Sequence, residues 1–338
     1  MPLLCAIGII RAHRGVSAHT DNPRAKCRRG GARLVPAMTL VRDFVPPAEA
    51  GAGPGAAAIG EILAHDRIWP LGNYGGQNLW LADGIRSLGG YHPAKLAQYE
   101  QIRKRLYSDR PAGQLAAWLA GRIVVFDRAF EPAQLTALQA LGLDLDPAAI
   151  QAGPAVLYRN RAALPRARLL TEWQPVSALP DKDALGPFLD GIVAGEVDVR
   201  QTVYLAERPD PLPATTTGNL PAPRFLKDGV DEVILAVESP VPALLLLADM
   251  MAPGWQVAVD DVSRPLLTAD LVLRAVALEA GAHTVRFYYD DPAVRKGLTL
   301  TMIGVILIVA LLVVPIVLMV VTRARARPRT SGEQDADV

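Results

Sequence analysis

Five side chains of this 338-residue chain stand where residue type and neighbours suit ligand chemistry: Tyr91, His92, Arg166, Trp255 and His283. Tyr91 and His92 close the glycine-rich stretch Ser87-Leu88-Gly89-Gly90-Tyr91-His92-Pro93, which leads into a helix and so offers backbone and side chains to a ligand. Trp255 follows Pro253-Gly254, and an indole face there suits stacking on a sugar ring, although fixing the turn is its plainer role. His283 follows Ala280-Gly281-Ala282; acid/base work or metal ligation would need a second histidine or carboxylate beside it, and spacing supplies neither. A bond across a hairpin is the plainer expectation. Arg166, with Arg168, carries the planar fork that binds phosphate, while surface ion pairs are what arginines at a strand edge ordinarily make. Asp249, Asp260, Asp261 and Asp270 supply calcium-type oxygen ligands if the fold gathers them at one end, but strand-end aspartates usually belong to solvated turns. No residue is assigned a catalytic role, and no metal site or cofactor is predicted. The chain has no Gly-x-Ser-x-Gly elbow, no His-Glu-x-x-His, no phosphate-binding Gly-x-x-x-x-Gly-Lys-Ser/Thr and no dinucleotide fingerprint after a strand. Paired carboxylates for glycoside hydrolysis depend on separation in space, and nothing in the spacing points to them.

The elements that must position these residues divide the chain. Residues 1–55, rich in Arg, Gly, Pro and Ala without a period, read as an irregular segment ending in a linker. Residues 56–208 alternate helix and strand and predict a small α/β layer. A short helix is expected over Ala56–His65 and a strand over Ile68–Leu71. Pro93 then opens a helix with Leu96, Tyr99, Ile102 and Leu106 at helical spacing. Further helices are expected over Ala112–Ala120 and Pro132–Leu141, the latter stopped by Gly142, with strands at Arg122–Asp127, Ala155–Asn160 and Val199–Ala206. Residues 209–224, with their prolines and a Thr-Thr-Thr-Gly run, read as a linker. In 225–292 the apolar segments are short and β-like: Glu232–Glu238, Ala243–Ala248, Trp255–Val259, Leu271–Leu278 and His283–Tyr289. Strands at such spacing between Pro/Gly turns predict an antiparallel β-sandwich, so the fold class expected is α+β with a single C-terminal transmembrane helix. Charge is balanced, 35 basic against 34 acidic side chains without a cluster, which argues against a nucleic-acid binder. Cys5 and Cys27 both lie in the first segment, so the body has no disulfide framework and no cysteine-based zinc site.

Residues Leu298–Val321 form an unbroken uncharged apolar run. At a rise of ~1.5 Å per residue such a run spans a hydrocarbon core of ~30 Å, and a soluble core helix rarely runs so long without a polar face. Thr299 and Thr301 can bond back to their own helix, and Pro315 at most kinks it. Arg323, Arg325, Arg327 and Arg329 follow, whereas Arg295 and Lys296 on the other side are accompanied by Asp290 and Asp291. The positive-inside tendency therefore puts the tail 322–338 in the cytoplasm and everything before Leu298 outside. Met1–Ile10 is apolar, but Arg11, His13 and Arg14 follow it, the reverse of a secretory signal. Two expectations follow: a tail anchor with its bulk in the cytoplasm, against the arginine bias, or the end of a larger protein whose missing part held it in the membrane.

Several motifs occur in an order that resembles a known family. They are Pro253-Gly254-Trp255, Val259-Asp260, Arg274-Ala275-Val276, then Ala280-Gly281-Ala282-His283-Thr284-Val285-Arg286-Phe287 with Tyr288-Tyr289, and Gly297 opening the membrane helix. Upstream are Gly90-Tyr91-His92-Pro93, Ile123-Val124-Val125, Tyr158-Arg159-Asn160 and Leu164-Pro165-Arg166-Ala167. Over about Phe44–Arg323 the chain resembles the C-terminal extracytoplasmic region and last membrane helix of the YfhO family of bacterial membrane proteins. Asp261 stands where that family usually has glycine, in a hairpin needing a positive φ. The resemblance implies a GT-C-type glycosyltransferase that uses a polyprenyl-phosphate sugar. The catalytic membrane bundle has no counterpart here, so it implies an accessory region that is not active alone and helps recognise an acceptor or glycan. Its partners would be the lipid bilayer, a membrane-embedded glycosyltransferase bundle, and a glycan or polyprenyl-phosphate sugar. Its place would be the bacterial cytoplasmic membrane, single-pass, with the bulk extracytoplasmic. The alternative is an independent single-pass envelope protein whose β-sandwich binds carbohydrate.

Overall fold

The computed structural model describes residues 59–325 except 61–62, 77, 82, 91–95, 109–111, 141, 177–183 and 215–219. The expected irregular segment 1–55, Cys5 and Cys27, Tyr91, His92 and the helix-opening Pro93, and the tail beyond 325 lie outside the described residues. The chain forms two units, Met1–Tyr289 and Asp290–Val338.

The first part of the larger unit follows the helix–strand alternation of its sequence. Strand β1 (Arg67–Pro70) is followed by helices α1 (Ala97–Leu106) and α2 (Gly113–Trp118) and by β2 (Gly121–Phe126). Strands β1 and β2 pair in parallel, which requires such a crossover. Helix α3 (Pro132–Gln139) starts with proline in its first turn and a capping box between Glu131 and Gln134. Gly142, at φ +81°, lies just beyond it, the position that favours glycine after a helix. Strands β3 (Ile150–Ala152) and β4 (Ala155–Arg159) complete a sheet in the order β1-β2-β4-β3. Its side chains alternate: Ile68, Ile123, Val125 and Leu157 enter one core cluster, and Trp69, Val124, Val156 and Tyr158 another.

The chain continues through β5 (Ala167–Leu170), β6 (Glu172–Pro175), helix α4 (Leu185–Ala194) and β7 (Thr202–Leu205). After the proline-rich segment come β8 (Arg224–Asp228), β9 (Glu232–Ser239), β10 (Ala243–Met250), β11 (Trp255–Val259) and β12 (Val262–Arg264). Strands β13 (Leu267–Ala269), β14 (Leu273–Leu278) and β15 (Gly281–Tyr289) end the unit. Strands β8, β9, β11, β12 and β15 form an antiparallel sheet in the order β12-β11-β15-β9-β8. The remaining six order as β5-β10-β14-β13-β7-β6. Strands from both sides of the proline-rich segment therefore share one sheet, and that segment does not divide the sheets between two domains.

Strands β10 and β14 explain why their sequences are apolar without interruption. Leu244 and Leu246 join the cluster that also holds Trp69, Leu115 and Leu189, while Leu245, Leu247, Val276 and Leu278 join Leu235, Val257, Val285 and Phe287 of the five-stranded sheet. A strand buried on both faces reads as a continuous hydrophobic run. In β15, by contrast, Val285 and Phe287 are buried while Thr284 and Arg286 are exposed, the alternation its sequence predicts.

The second unit is helix α5 (Pro292–Arg325), long and apolar enough to cross a membrane. None of its apolar window is buried against protein. The hydroxyls of Thr299 and Thr301 donate to the carbonyls of Arg295 and Gly297, so both polar groups are satisfied within the helix.

Candidate functional site

Arg166 precedes β5 by one residue and is 2% exposed. Its guanidinium forks onto two carboxylates. Nε and Nη2 donate to Asp249 at 2.8 Å each, and Nη1 donates to Asp228 at 2.9 and 3.0 Å and to the His65 carbonyl at 3.2 Å. Arg67 also binds Asp249 and donates to the carbonyls of Leu119 and Ala248, while Arg86 and His65 bind Asp228. The His65 ring stacks on Phe225 at 4.1 Å, and the Arg166 guanidinium lies 5.3 Å from the same ring. Burial pushes the Asp249 carboxyl up, but the hydrogen bonds from Arg166 and the charges of Arg67 and Arg166 outweigh it and hold the group below the usual carboxylate range. Burial likewise opposes the charge on Arg166, and Asp249 and Asp228 overcome it. A phosphate would therefore have to displace buried carboxylates already bound to Arg166. Arg67 of β1, Asp228 of β8, Asp249 of β10 and Arg166 just before β5 are thereby joined, and these strands belong to all three sheets.

Trp255 opens β11 and pairs with Tyr289 at the end of β15, their rings edge to face at 5.8 Å. One face of the indole is covered: the Arg274 guanidinium lies 3.4 Å from the ring centroid. Arg274 is 5% exposed, and its Nε and Nη2 donate to the Met250 carbonyl at 3.1 and 2.8 Å. Burial pushes its pKa down to about 10, partly offset by Asp249. Beside Trp255 opens a cleft of about 490 Å³ lined mainly by Met250, Met251, Leu266, Leu271 and Val272. Gln98, Glu207 and Thr268 add polar groups, and Glu207 is its one ionisable lining side chain among the described residues. Such a lining makes contact with apolar groups and is poorly equipped for proton transfer.

His283 bonds across a hairpin. Its Nδ1 meets the Asp260 carboxylate at 2.7 Å and its Nε2 the Glu279 carbonyl at 3.2 Å, while Thr284 N donates to Asp260 at 2.8 Å. The turn that presents Asp260 joins β11 to β12 through two residues, Asp260 at φ +51° and Asp261 at φ +64°, with Val259 paired to Val262. Both central residues in left-handed conformation make the tight hairpin expected there, built from aspartate in place of glycine. The histidine thus locks the loop to β15.

The four aspartates considered as calcium ligands are dispersed. Asp249 belongs to the arginine cluster and Asp260 to His283, while Asp270 is buried at the β13–β14 turn. There Asp270 accepts from Trp118 Nε1 and from Tyr204 N, each at 3.0 Å. No group of three or more metal-ligating side chains occurs among the described residues.

Arg67, Arg86 and Asp228 carry no local signal in the sequence, and Arg274 stands out there within the Arg274-Ala275-Val276 motif. A second signal for Arg274 existed, since it is the one charged residue in Leu273-Arg274-Ala275-Val276-Ala277-Leu278, a strand buried throughout. No family model, curated protein or solved structure matches this chain.

Proposed function

We propose that this chain is a membrane-anchored, extracytoplasmic accessory region of a YfhO-like glycosyltransferase, acting through position and contact and not through chemistry of its own. The observation that carries the anchored reading is α5, whose apolar side chains from Leu298 to Val321 are exposed nearly throughout. Exposure on that scale is unfavourable in water and natural in lipid. Only Asp290 and Asp291 separate β15 from α5, so the body is held on a short tether. The accessory reading draws on the order of the resembling motifs, among them Pro253-Gly254-Trp255, which opens β11, and Val259-Asp260 and His283, which meet at the opposite end of that strand. The shared cluster of Leu245, Leu247, Val257 and Phe287 supports reading the five- and six-stranded sheets as the two halves of a β-sandwich.

Two measurements test this. A reporter active only outside the cytoplasm should work when inserted at Val230, an exposed turn residue between β8 and β9, and stay silent when fused after Val338. Activity after Val338 would overturn the orientation. Genomic DNA upstream of the first codon should encode further transmembrane helices in frame or in an adjoining gene; if it encodes none, the accessory role gives way to a free-standing envelope protein.

A further inference from the structure

The residues around Trp255 form an unusual combination at one particular place in the chain. Trp255 is opposite Tyr289, the last residue of β15, and α5 begins three residues later at Pro292. At no more than ~3.6 Å per residue the tether from Tyr289 to the start of α5 spans at most about 11 Å. One lining residue of the cleft, Trp255, is therefore paired with the strand end from which the chain continues into α5. The lining of the cleft is mainly aliphatic and thioether, with the Trp255 indole, and the two half-buried methionines of the Met250–Trp255 turn are part of it. Behind the indole stands the Arg274 cation, whose Nη1 is buried without a hydrogen-bond partner in the protein. A sugar would need several donors and acceptors and a free indole face. This cleft offers Gln98, Glu207 and Thr268 among mainly apolar lining residues, and Arg274 occupies one face of the indole. The bilayer boundary asks for what is present: amphipathic rings at headgroup level and flexible apolar side chains just below them. The acidic pair on the tether does not oppose this strongly, because Asp290 is ion-paired to Arg295 at 2.9 Å.

We propose that the Met250–Trp255 turn and Tyr289 form an interfacial seat that inserts into the headgroup–acyl boundary of the bilayer, the cleft beside Trp255 receiving acyl-chain segments of a phospholipid. This rests on the reading of α5 as a membrane span.

The test uses the full chain reconstituted in phosphatidylcholine vesicles carrying bromine either near the glycerol or near the chain terminus. Of the five tryptophans, Trp69, Trp80 and Trp118 are buried, and Trp173 and Trp255 are both half-buried. Any lipid-accessible emission therefore comes from Trp173 and Trp255, which the Trp255→Phe variant separates. Bromine near the glycerol should quench tryptophan emission more than bromine near the chain terminus. Trp255→Phe, which keeps a ring over Arg274, should lose that quenched component. Met251→Asp, which leaves the fluorophore in place, should lose most of the quenching while still floating with the vesicles. Equal quenching of the native chain and Trp255→Phe, with both floating, overturns the seat and leaves the anchor intact. Failure of the native chain to float overturns both. A shift of Trp255 emission by soluble gluco-oligosaccharides, with no quenching by brominated lipid, overturns the seat in favour of a sugar platform.

Discussion

Asp270 sits in a two-residue stretch of left-handed backbone, itself at φ +48° and Leu271 at φ +65°, which turns its carboxylate into the protein. Burial pushes its pKa up to about 6, against the pull of the Tyr204 amide, the Trp118 indole and the Arg168 charge. From about pH 4 to about pH 6 the folded chain thus keeps a proton that the unfolded chain releases. This contribution is complete below the unfolded value and is lost as pH rises through the folded one. Asp270→Asn should therefore flatten the dependence of unfolding free energy between about pH 4 and pH 7 by roughly 3 kcal/mol, read by denaturant titration across that range. An unchanged slope would show that the carboxyl titrates normally. Asp249 acts with the opposite sign, its contribution present above the ordinary carboxylate range and lost as pH falls below it. At this scale the sequence was a partial guide. Arg166, Trp255 and His283 were conspicuous from their neighbours, but which became a buried clamp, a cleft wall or a hairpin lock depended on Asp249, Arg274 and Asp260, which stand 83, 19 and 23 residues away.

Among the elements, those with a clean period or cap were legible. Strands β9, β10, β11, β14 and β15 lie within two residues of their expected bounds, as do β2 and α3. Helix α4 was not, because Gly186, Pro187 and Gly191 break its pattern. Pro187 is harmless in the first turn, and Gly191 is needed, since a Cβ there would stand 2.7 Å from Val197 Cγ2. Helix α2 offers the sharper test. A Cβ on Gly113 would lie 2.3 Å from the Gly142 carbonyl oxygen and 2.7 Å from Leu143 N, both backbone atoms. Gly113→Ala raises helix propensity by up to ~1 kcal/mol, yet the clash should prevail and cost a net ~1–3 kcal/mol in chemical denaturation. A stabilised variant would mean that the α2 and Gly142 backbones separate easily.

For the body as a whole, one sheet crosses the proline-rich segment and one ion cluster joins all three sheets. Residues 59–289 should accordingly unfold in a single transition, with near-ultraviolet dichroism and tryptophan emission coincident in the detergent-solubilised chain. Arg166→Ala leaves Asp228 and Asp249 buried with fewer partners and should lower the stability of that transition by about 3–5 kcal/mol without splitting it. Two separated transitions in the native chain would restore independent folding of the segments before and after residues 209–224.

What the sequence determined by itself was whatever is written over a few consecutive residues: the period of β15, the glycine stop after α3, the two-residue hairpin at Asp260–Asp261 and the length of the apolar run in α5. Those properties follow from local backbone sterics and from side-chain transfer free energies, which need no distant partner. Only the tertiary structure decided that β5, β6 and β7 join β10, β13 and β14, and that Arg67, Arg86 and Arg166 converge on Asp228 and Asp249. Strand pairing and the burial of a charge depend on which remote segments supply the hydrogen bonds and counter-charges, and no local pattern encodes that choice.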